Sequence, residues 1–263
     1  MLGMKSIFDF DRCISNARVL KVNDERTQIC FRDKEAQDIY DMFYTRMTLH
    51  RRAYQHKTNN IISEMVCDAL TQANDNLFFE GINGKSYQLK ESVDDMEAFS
   101  KVTDDVLHMI YQSPDKKLKA PKEIIQRVLN RKLYKCVGQT QIKEVQQFDE
   151  NGFKEKLFRK IKEAEERTAR HDGNGFKIDV VTLNYGLDDK DPLKNVRFYT
   201  KVERDEAILI SSRDQVSFVL PETFSEKIVR VYCTDNDSEH LSIVKEAFTR
   251  CCVDEGYPEP KDK

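Results

Sequence analysis

The sequence predicts an α+β protein, mainly helical in its first half and strand-rich in its second, and three observations carry that expectation. Between positions of about 34 and 73, Ile39, Met42, Phe43, Ile61, Ile62, Met65, Val66, Ala69 and Leu70 recur at helical spacing. After Tyr134 the texture changes to short β-prone runs, at 176–184, 196–201, 207–210 and 228–233. A last stretch, 240–253, returns to the helical period.

The elements follow in order. The runs 17–22 and 27–32 flank Asn23-Asp24-Glu25 and read as a hairpin feeding the long helix, whose apolar stripe is interrupted by a polar middle at 50–60. Further helices are expected at 92–111, where Asp94 and Asp95 favour a start, and at 120–129, with Pro121 suited to a first turn. Then come a strand-like run at 139–145, a charged stretch at 153–167 and a turn at Asp172-Gly173-Asn174-Gly175. The change in texture places a module boundary near 136, giving expected lobes 1–136 and 137–263. The terminus from Pro258 to Lys263 reads as frayed.

With 263 residues and 39% hydrophobic content, the chain can bury a substantial core. No apolar span is long enough to cross a bilayer, and Met1 is not followed by a secretory core. Seven cysteines form no Cys-x-x-Cys pair, so neither a zinc cage nor a disulfide framework is indicated, and reduced thiols are expected. A net charge of -3 with 34% charged residues leaves room for local basic patches.

Chemistry concentrates in the run from Tyr40 to Lys57. On a continuous helix, Arg46, His50 and Tyr54 share one face, while Arg52 and His56 form a second. Arginine offers forked donors to phosphate, histidine a tunable donor, and tyrosine a flat face for a sugar or base. The pattern points to a nucleotide polyphosphate site. Spacing alone favours the plainer reading, Tyr54 as a core aromatic and Arg46 as a solvated cation. His171-Asp172 has no second histidine or carboxylate at ligand spacing beside it, and no metal ligands are assigned in this chain.

The segments Arg32-Asp33-Lys34-Glu35, Tyr40-Asp41-Met42-Phe43, Leu49 to Lys57 and Ser92-Val93-Asp94-Asp95-Met96-Glu97-Ala98 resemble the SAM-and-HD-domain deoxynucleoside triphosphate triphosphohydrolases. The likeness continues through Tyr134-Lys135-Cys136-Val137-Gly138, Asp179-Val180-Val181, Asn184-Tyr185-Gly186 and Arg230-Val231-Tyr232-Cys233. The family cleaves a dNTP to deoxynucleoside and triphosphate with divalent metal held by a His…His-Asp…Asp set. The resemblance puts those ligands upstream of Leu2-Gly3 and implies that the chain holds the rear of an HD-type catalytic domain plus a smaller α+β lobe. No complete catalytic set is then expected here, and the chain alone is expected to be inactive.

By the same resemblance, Arg46 and His50 face the substrate triphosphate, Tyr54 underlies the deoxyribose and Gln55 reaches the 3′-hydroxyl. Arg12, Arg32, Lys34, Arg52, His56 and Lys57 correspond to effector positions, with Arg131, Lys135 and Lys201 as additional contacts. There GTP or dNTP bridges subunits of a homo-oligomer, dimer or tetramer. Asp38 stands where the family has a neutral amide, and Tyr44 where it has histidine. The family also implies a nuclear location. Two other readings compete: a catalytically silent paralogue that binds nucleotide or joins a complete relative, and a single-stranded nucleic-acid binder using Arg51-Arg52 and 154–162.

Overall fold

The fold is seen in a computed structural model that describes residues 8–23, 26–142, 148–167, 175–210, 216–217, 220–235 and 237–261. Helix α1 (Phe10–Ser15) begins where the Asp9 carboxylate accepts the Arg12 amide at 3.1 Å. The expected hairpin follows: β1 (Arg18–Asn23) and β2 (Arg26–Arg32) pair antiparallel, with Val19 opposite Ile29 and Arg18 opposite Cys30. Cys30 is fully buried, whereas Val19 and Ile29 are exposed, as are Phe10 and Ile14 on α1.

The long helix expected over 34–73 is instead two. Helix α2 (Ala36–Leu49) passes into a π-helical turn (His50–Tyr54), and α3 (Lys57–Ala73) starts anew. The Gln55 amide donates to the His50 carbonyl at 2.7 Å, five residues back, and the His56 amide to Ala53 at 3.2 Å. A switch from four- to five-residue hydrogen bonds winds the backbone out of its former phase, and the helix ends. His56 therefore lies outside it and shares no helical stripe with Arg52.

The chain separates into two compact units: Met1–His56, Cys136–Tyr232 and Leu241–Lys263 form the first, Lys57–Lys135 and Cys233–His240 the second. In the second unit, α3 precedes a short antiparallel pair, β3 (Phe78–Glu80) and β4 (Ser86–Gln88), which the sequence reading missed. The helix expected over 92–111 is broken into α4 (Met96–Ser100) and α5 (Val106–Gln112). Asp95 caps α4, accepting the amides of Glu97 and Ala98 at 3.0 Å each. Helix α6 (Lys119–Leu129) carries Pro121 in its first turn, where a missing N–H costs no helical bond. Ala69, Ala73, Leu77, Phe79, Ala98, Ile110, Leu118 and Ile125 make this unit's core. Tyr134 closes it, donating its phenol to Asp68 at 3.0 Å.

The first unit continues with β5 (Lys135–Ile142), α7 (Glu150–Arg167), β6 (Phe176–Asn184), β7 (Arg197–Tyr199), β8 (Ser225–Cys233) and α8 (Ser238–Asp254), of which Lys135, Cys233 and Ser238 to His240 fall in the second unit. Its sheets have orders β1-β2-β7 and β5-β8-β6. Strand β7 runs parallel to β2, with Phe31 opposite Phe198. The strand expected at 207–210 is reduced to one bridge, Phe198 to Ile208. Strand β8 is the central member of its sheet and is buried from Ile228 onward, which explains why its run from Ile228 to Cys233 is apolar at every position but Arg230. Inside this sheet Arg230 and Asp179 form an ion pair at 3.0 Å.

Of the terminus expected to fray, the described part, 258–261, is tied down. Gln139 and Lys261 exchange backbone hydrogen bonds at 2.9 and 3.2 Å, and the Thr140 hydroxyl donates to the Pro258 carbonyl at 2.6 Å. Proline lacks a donor but keeps its acceptor, so a proline-bearing tail still docks on a strand. His171-Asp172 and the turn around Gly173 lie outside the described residues, as do 143–145 of the strand expected at 139–145. Among the described residues no helix is long and apolar enough to cross a membrane.

Candidate functional site: a cationic helix ending in a π turn

The four side chains assigned to substrate all sit in the first unit, on α2 and the turn that ends it. Arg46 is exposed, and one guanidinium nitrogen donates to the Asn184 carbonyl at 3.2 Å. That carbonyl is set by a tight local turn: the Asn184 side chain accepts the Gly186 amide at 2.9 Å, and Gly186 has φ +106°. A Cβ at Gly186 would meet Phe43 at 3.5 Å and the Arg46 guanidinium at 3.9 Å. Glycine thus permits both the turn and the close approach of the arginine. Arginine carries five donors, so one bond to Asn184 fixes the side chain and leaves the fork available for an anion.

One turn on, the rings of His50 and Tyr54 lie 5.3 Å apart at 57°. The π turn keeps these two neighbours together although the regular helix has ended. Tyr54 is 60% exposed, so the core-aromatic alternative is overturned. Its ring presents a flat apolar surface to solvent, suited to stacking on a sugar or base.

Behind the helix, Tyr40, Tyr185 and Phe224 form a buried cluster, with Tyr185 meeting Phe224 edge-on at 5.4 Å and Tyr40 at 5.8 Å. Burial and the neighbouring Tyr185 hydroxyl push the Tyr40 phenol up, so it stays protonated at any physiological pH. Tyr44 packs on the outer side of Tyr185 at 6.4 Å and remains partly exposed. A groove lined by Met47, Arg51, Leu183, Tyr185 and Glu226 opens beside this cluster, with Arg51 and Glu226 paired at 3.0 Å.

The effector candidates divide between the units. In the first, Arg12 bonds the buried Glu35 carboxylate at 2.9 Å, while Arg32 is half-buried with Asp33 at 4.0 Å. Lys34, Arg52, His56 and Lys201 are exposed. Asp38 turns one carboxylate oxygen into the interior without a hydrogen-bond partner, within 4.8 Å of donors from Cys13 and Glu35. Burial first, then the Asp38 and Glu35 charges, push the Cys13 thiol up to about 11. Lys57, Arg131 and Lys135 belong to the second unit. Arg131 holds a left-handed φ of +57° just past α6, closing that helix with a bond from its amide to the Val128 carbonyl at 3.1 Å.

Sequence reasoning missed the supporting residues. Asn184 and Gly186 are 138 and 140 positions from Arg46, and only chain folding brings them together. The signal was present in Asn-Tyr-Gly, an amide-led turn ending in glycine, but nothing local names its arginine partner.

A divalent metal serving phosphate chemistry takes oxygen or imidazole ligands. The donor clusters among the described residues, Cys13/Glu35/Asp38 and Cys233/Asp235/His240, each contain a thiol. Neither fits the paired-histidine, paired-aspartate set of the resemblance, and no hydrolytic step is derived through a metal.

No family model matches the chain. Among curated proteins it is 42% identical over 265 residues to the deoxynucleoside triphosphate triphosphohydrolase SAMHD1 of Xenopus laevis and 39% identical over 264 residues to that of Homo sapiens. Each match covers 99% of this chain and 42% of the relative. A Dictyostelium discoideum SAMHD1 homolog is 28% identical over 254 residues. The chain thus spans less than half the length of the curated relatives it matches, and by this likeness along nearly its whole length it belongs to the SAM-and-HD-domain deoxynucleoside triphosphate triphosphohydrolase family.

Proposed function

We propose that this chain forms part of a dNTP-binding pocket in a deoxynucleoside triphosphate triphosphohydrolase. The observation that carries the reading is Arg46 held by the Asn184 carbonyl one helical turn from the His50–Tyr54 ring contact. In this reading Arg46 and His50 grip the triphosphate, where charge-assisted bonds are the strongest available. Tyr54 packs against C2′ of the sugar, and Gln55 meets the 3′-hydroxyl. A ring pressed on C2′ leaves no space for a ribose hydroxyl, which selects deoxynucleotides by shape. Metal-dependent cleavage of the ester belongs to groups other than those named here.

The effector set, Arg12, Arg32, Lys34, Asp38, Arg52, His56, Lys57, Arg131, Lys135 and Lys201, takes GTP or dNTP and couples binding to a homo-oligomeric, nuclear assembly. Basic surfaces from several subunits repel one another until polyphosphate compensates them, so an effector that prefers the assembly must favour it. Division of the protein into a catalytic-domain remnant over 1–136 and a lobe over 137–263 belongs to the same proposal. A second reading, a silent nucleotide-binding paralogue, draws on Asp38, an acidic residue where the resemblance has a neutral amide.

The test compares dTTP with its ribose counterpart. The chain is expected to bind dTTP at least about tenfold more tightly, and Tyr54→Ala to erase the preference. Equal binding of the two sugars by the unaltered chain overturns the reading. Triphosphate release from dTTP, measured with the metal-bearing upstream region restored, separates a hydrolase from a silent binder.

A further inference from the structure

Away from the nucleotide site, the loop joining β8 to α8 gathers three different ligand types at one point. Cys233 Sγ lies 3.2 Å from His240 Nδ1, His240 Nδ1 lies 2.8 Å from Asp235 Oδ2, and Cys233 Sγ lies 3.4 Å from Asp235 Oδ1. Cys233 and His240 are buried, while the Asp235 side chain is 49% exposed. From these contacts we propose that Cys233, Asp235 and His240 form a zinc site, open to one water on the Asp235 side.

The argument starts from proton counting. If His240 carries its proton on Nδ1, that proton serves Asp235 Oδ2 while the thiol donates to Asp235 Oδ1 at 3.4 Å, and the sulfur and ring nitrogen 3.2 Å apart share no hydrogen bond. If Nδ1 is bare, the thiol can donate to it, but the carboxylate then faces a lone pair at 2.8 Å. In either tautomer one edge of the triangle is left without a good hydrogen bond. A dication at the centre satisfies all three edges at once.

The dimensions agree. Zinc bonds of about 2.0 Å to nitrogen or oxygen and about 2.3 Å to sulfur place ligand atoms about 3.3 to 3.6 Å apart in a tetrahedron. The carboxylate meets the sulfur through Oδ1 at 3.4 Å and the imidazole through Oδ2 at 2.8 Å, so one oxygen joins the tetrahedron by a small rotation of the carboxylate together with an opening of a few tenths of an ångström. Thiolate and imidazole together select zinc over magnesium or calcium. Binding is balanced as Zn2+ replacing the cysteine proton, which leaves to solvent, with the histidine proton resting on Nε2. One proton is released per ion, and affinity rises with pH.

The loop is already shaped for this. The Asp237 amide donates to Asp235 Oδ1 at 3.1 Å and the Glu239 amide to Asp237 at 2.8 Å, while Arg127 of α6 donates to the Thr234 carbonyl at 2.9 Å. These bonds orient the Asp235 carboxylate and hold Thr234 beside the buried cysteine. The spacing Cys-x-Asp-x4-His belongs to no common zinc pattern, so the sequence reading assigned no metal ligand there.

Cobalt(II) titration of the chelator-treated 263-residue chain tests the proposal. A thiolate-to-cobalt charge-transfer band is expected, saturating at one equivalent and abolished by zinc. Cys233→Ser should remove the band, and Asp235→Asn, at a half-exposed position that leaves the fold intact, should weaken cobalt binding about tenfold or more. Cys67→Ser, at an exposed thiol, should leave the band unchanged. No band in the unaltered chain, a band lost with Cys67, or unchanged affinity in Asp235→Asn overturns the assignment.

Discussion

Two arginines of the first unit are put to opposite uses. Arg230 is 5% exposed and faces Asp179 at 3.0 Å inside the β5-β8-β6 sheet. Arg46 stands in solvent and is steadied by one neutral carbonyl at 3.2 Å. A buried cation needs a counter-ion because desolvation costs it several kcal/mol, and once neutralised it has nothing left for a ligand. An exposed cation held by a backbone oxygen keeps its whole charge. Arg230 is therefore architecture, and Arg46 is equipment for an anion.

The largest expected effect tests the first half of that contrast. Arg230→Met leaves Asp179 charged in the interior and should lower unfolding free energy by about 3–5 kcal/mol in a urea titration. Adding Asp179→Leu should restore most of the loss. A single variant as stable as the parent would mean that the pair is not buried in solution.

A smaller effect sharpens the second half. Gly186→Ala forces a side chain into a backbone of φ +106°, at a cost of about 1–3 kcal/mol. Because the same turn positions the Asn184 carbonyl, triphosphate affinity should fall with it. Affinity kept at full strength would show that Arg46 finds its place without Asn184.

The smallest effect runs the other way. Arg131→Gly relieves a left-handed arginine and should raise stability by up to about 1 kcal/mol, measured by thermal unfolding. If the effector reading is right, the stabler variant assembles less readily with GTP. A loss of stability instead would assign the guanidinium to packing.

Legibility differed along the same line. The hairpin, β6, β8 and α8 were readable because period and burial agree locally: Ile228 to Cys233 is apolar apart from the ion-paired Arg230 because its strand is central. The break at residues 50–56 was not, since the apolar positions before and after it each keep helical spacing while one five-residue hydrogen bond shifts the phase between them. The residues around 207–210 looked like a strand from side-chain type, yet only Ile208 bridges to Phe198. The candidate site was half visible: Arg46, His50 and Tyr54 could be seen on one segment, but Asn184 and Gly186, which hold the arginine, come from a distant turn. The Cys233, Asp235 and His240 cluster became visible only when a strand end and a helix start were placed together.

Calorimetric titration with a magnesium-bound dNTP, comparing the chain with Arg46→Ala, tests the central claim most directly. The account predicts binding heat from the unaltered chain and at least about a tenfold loss of affinity in the variant, about 1.4 kcal/mol, with no change in melting temperature. Equal affinity in the two proteins, or no heat from either, contradicts it.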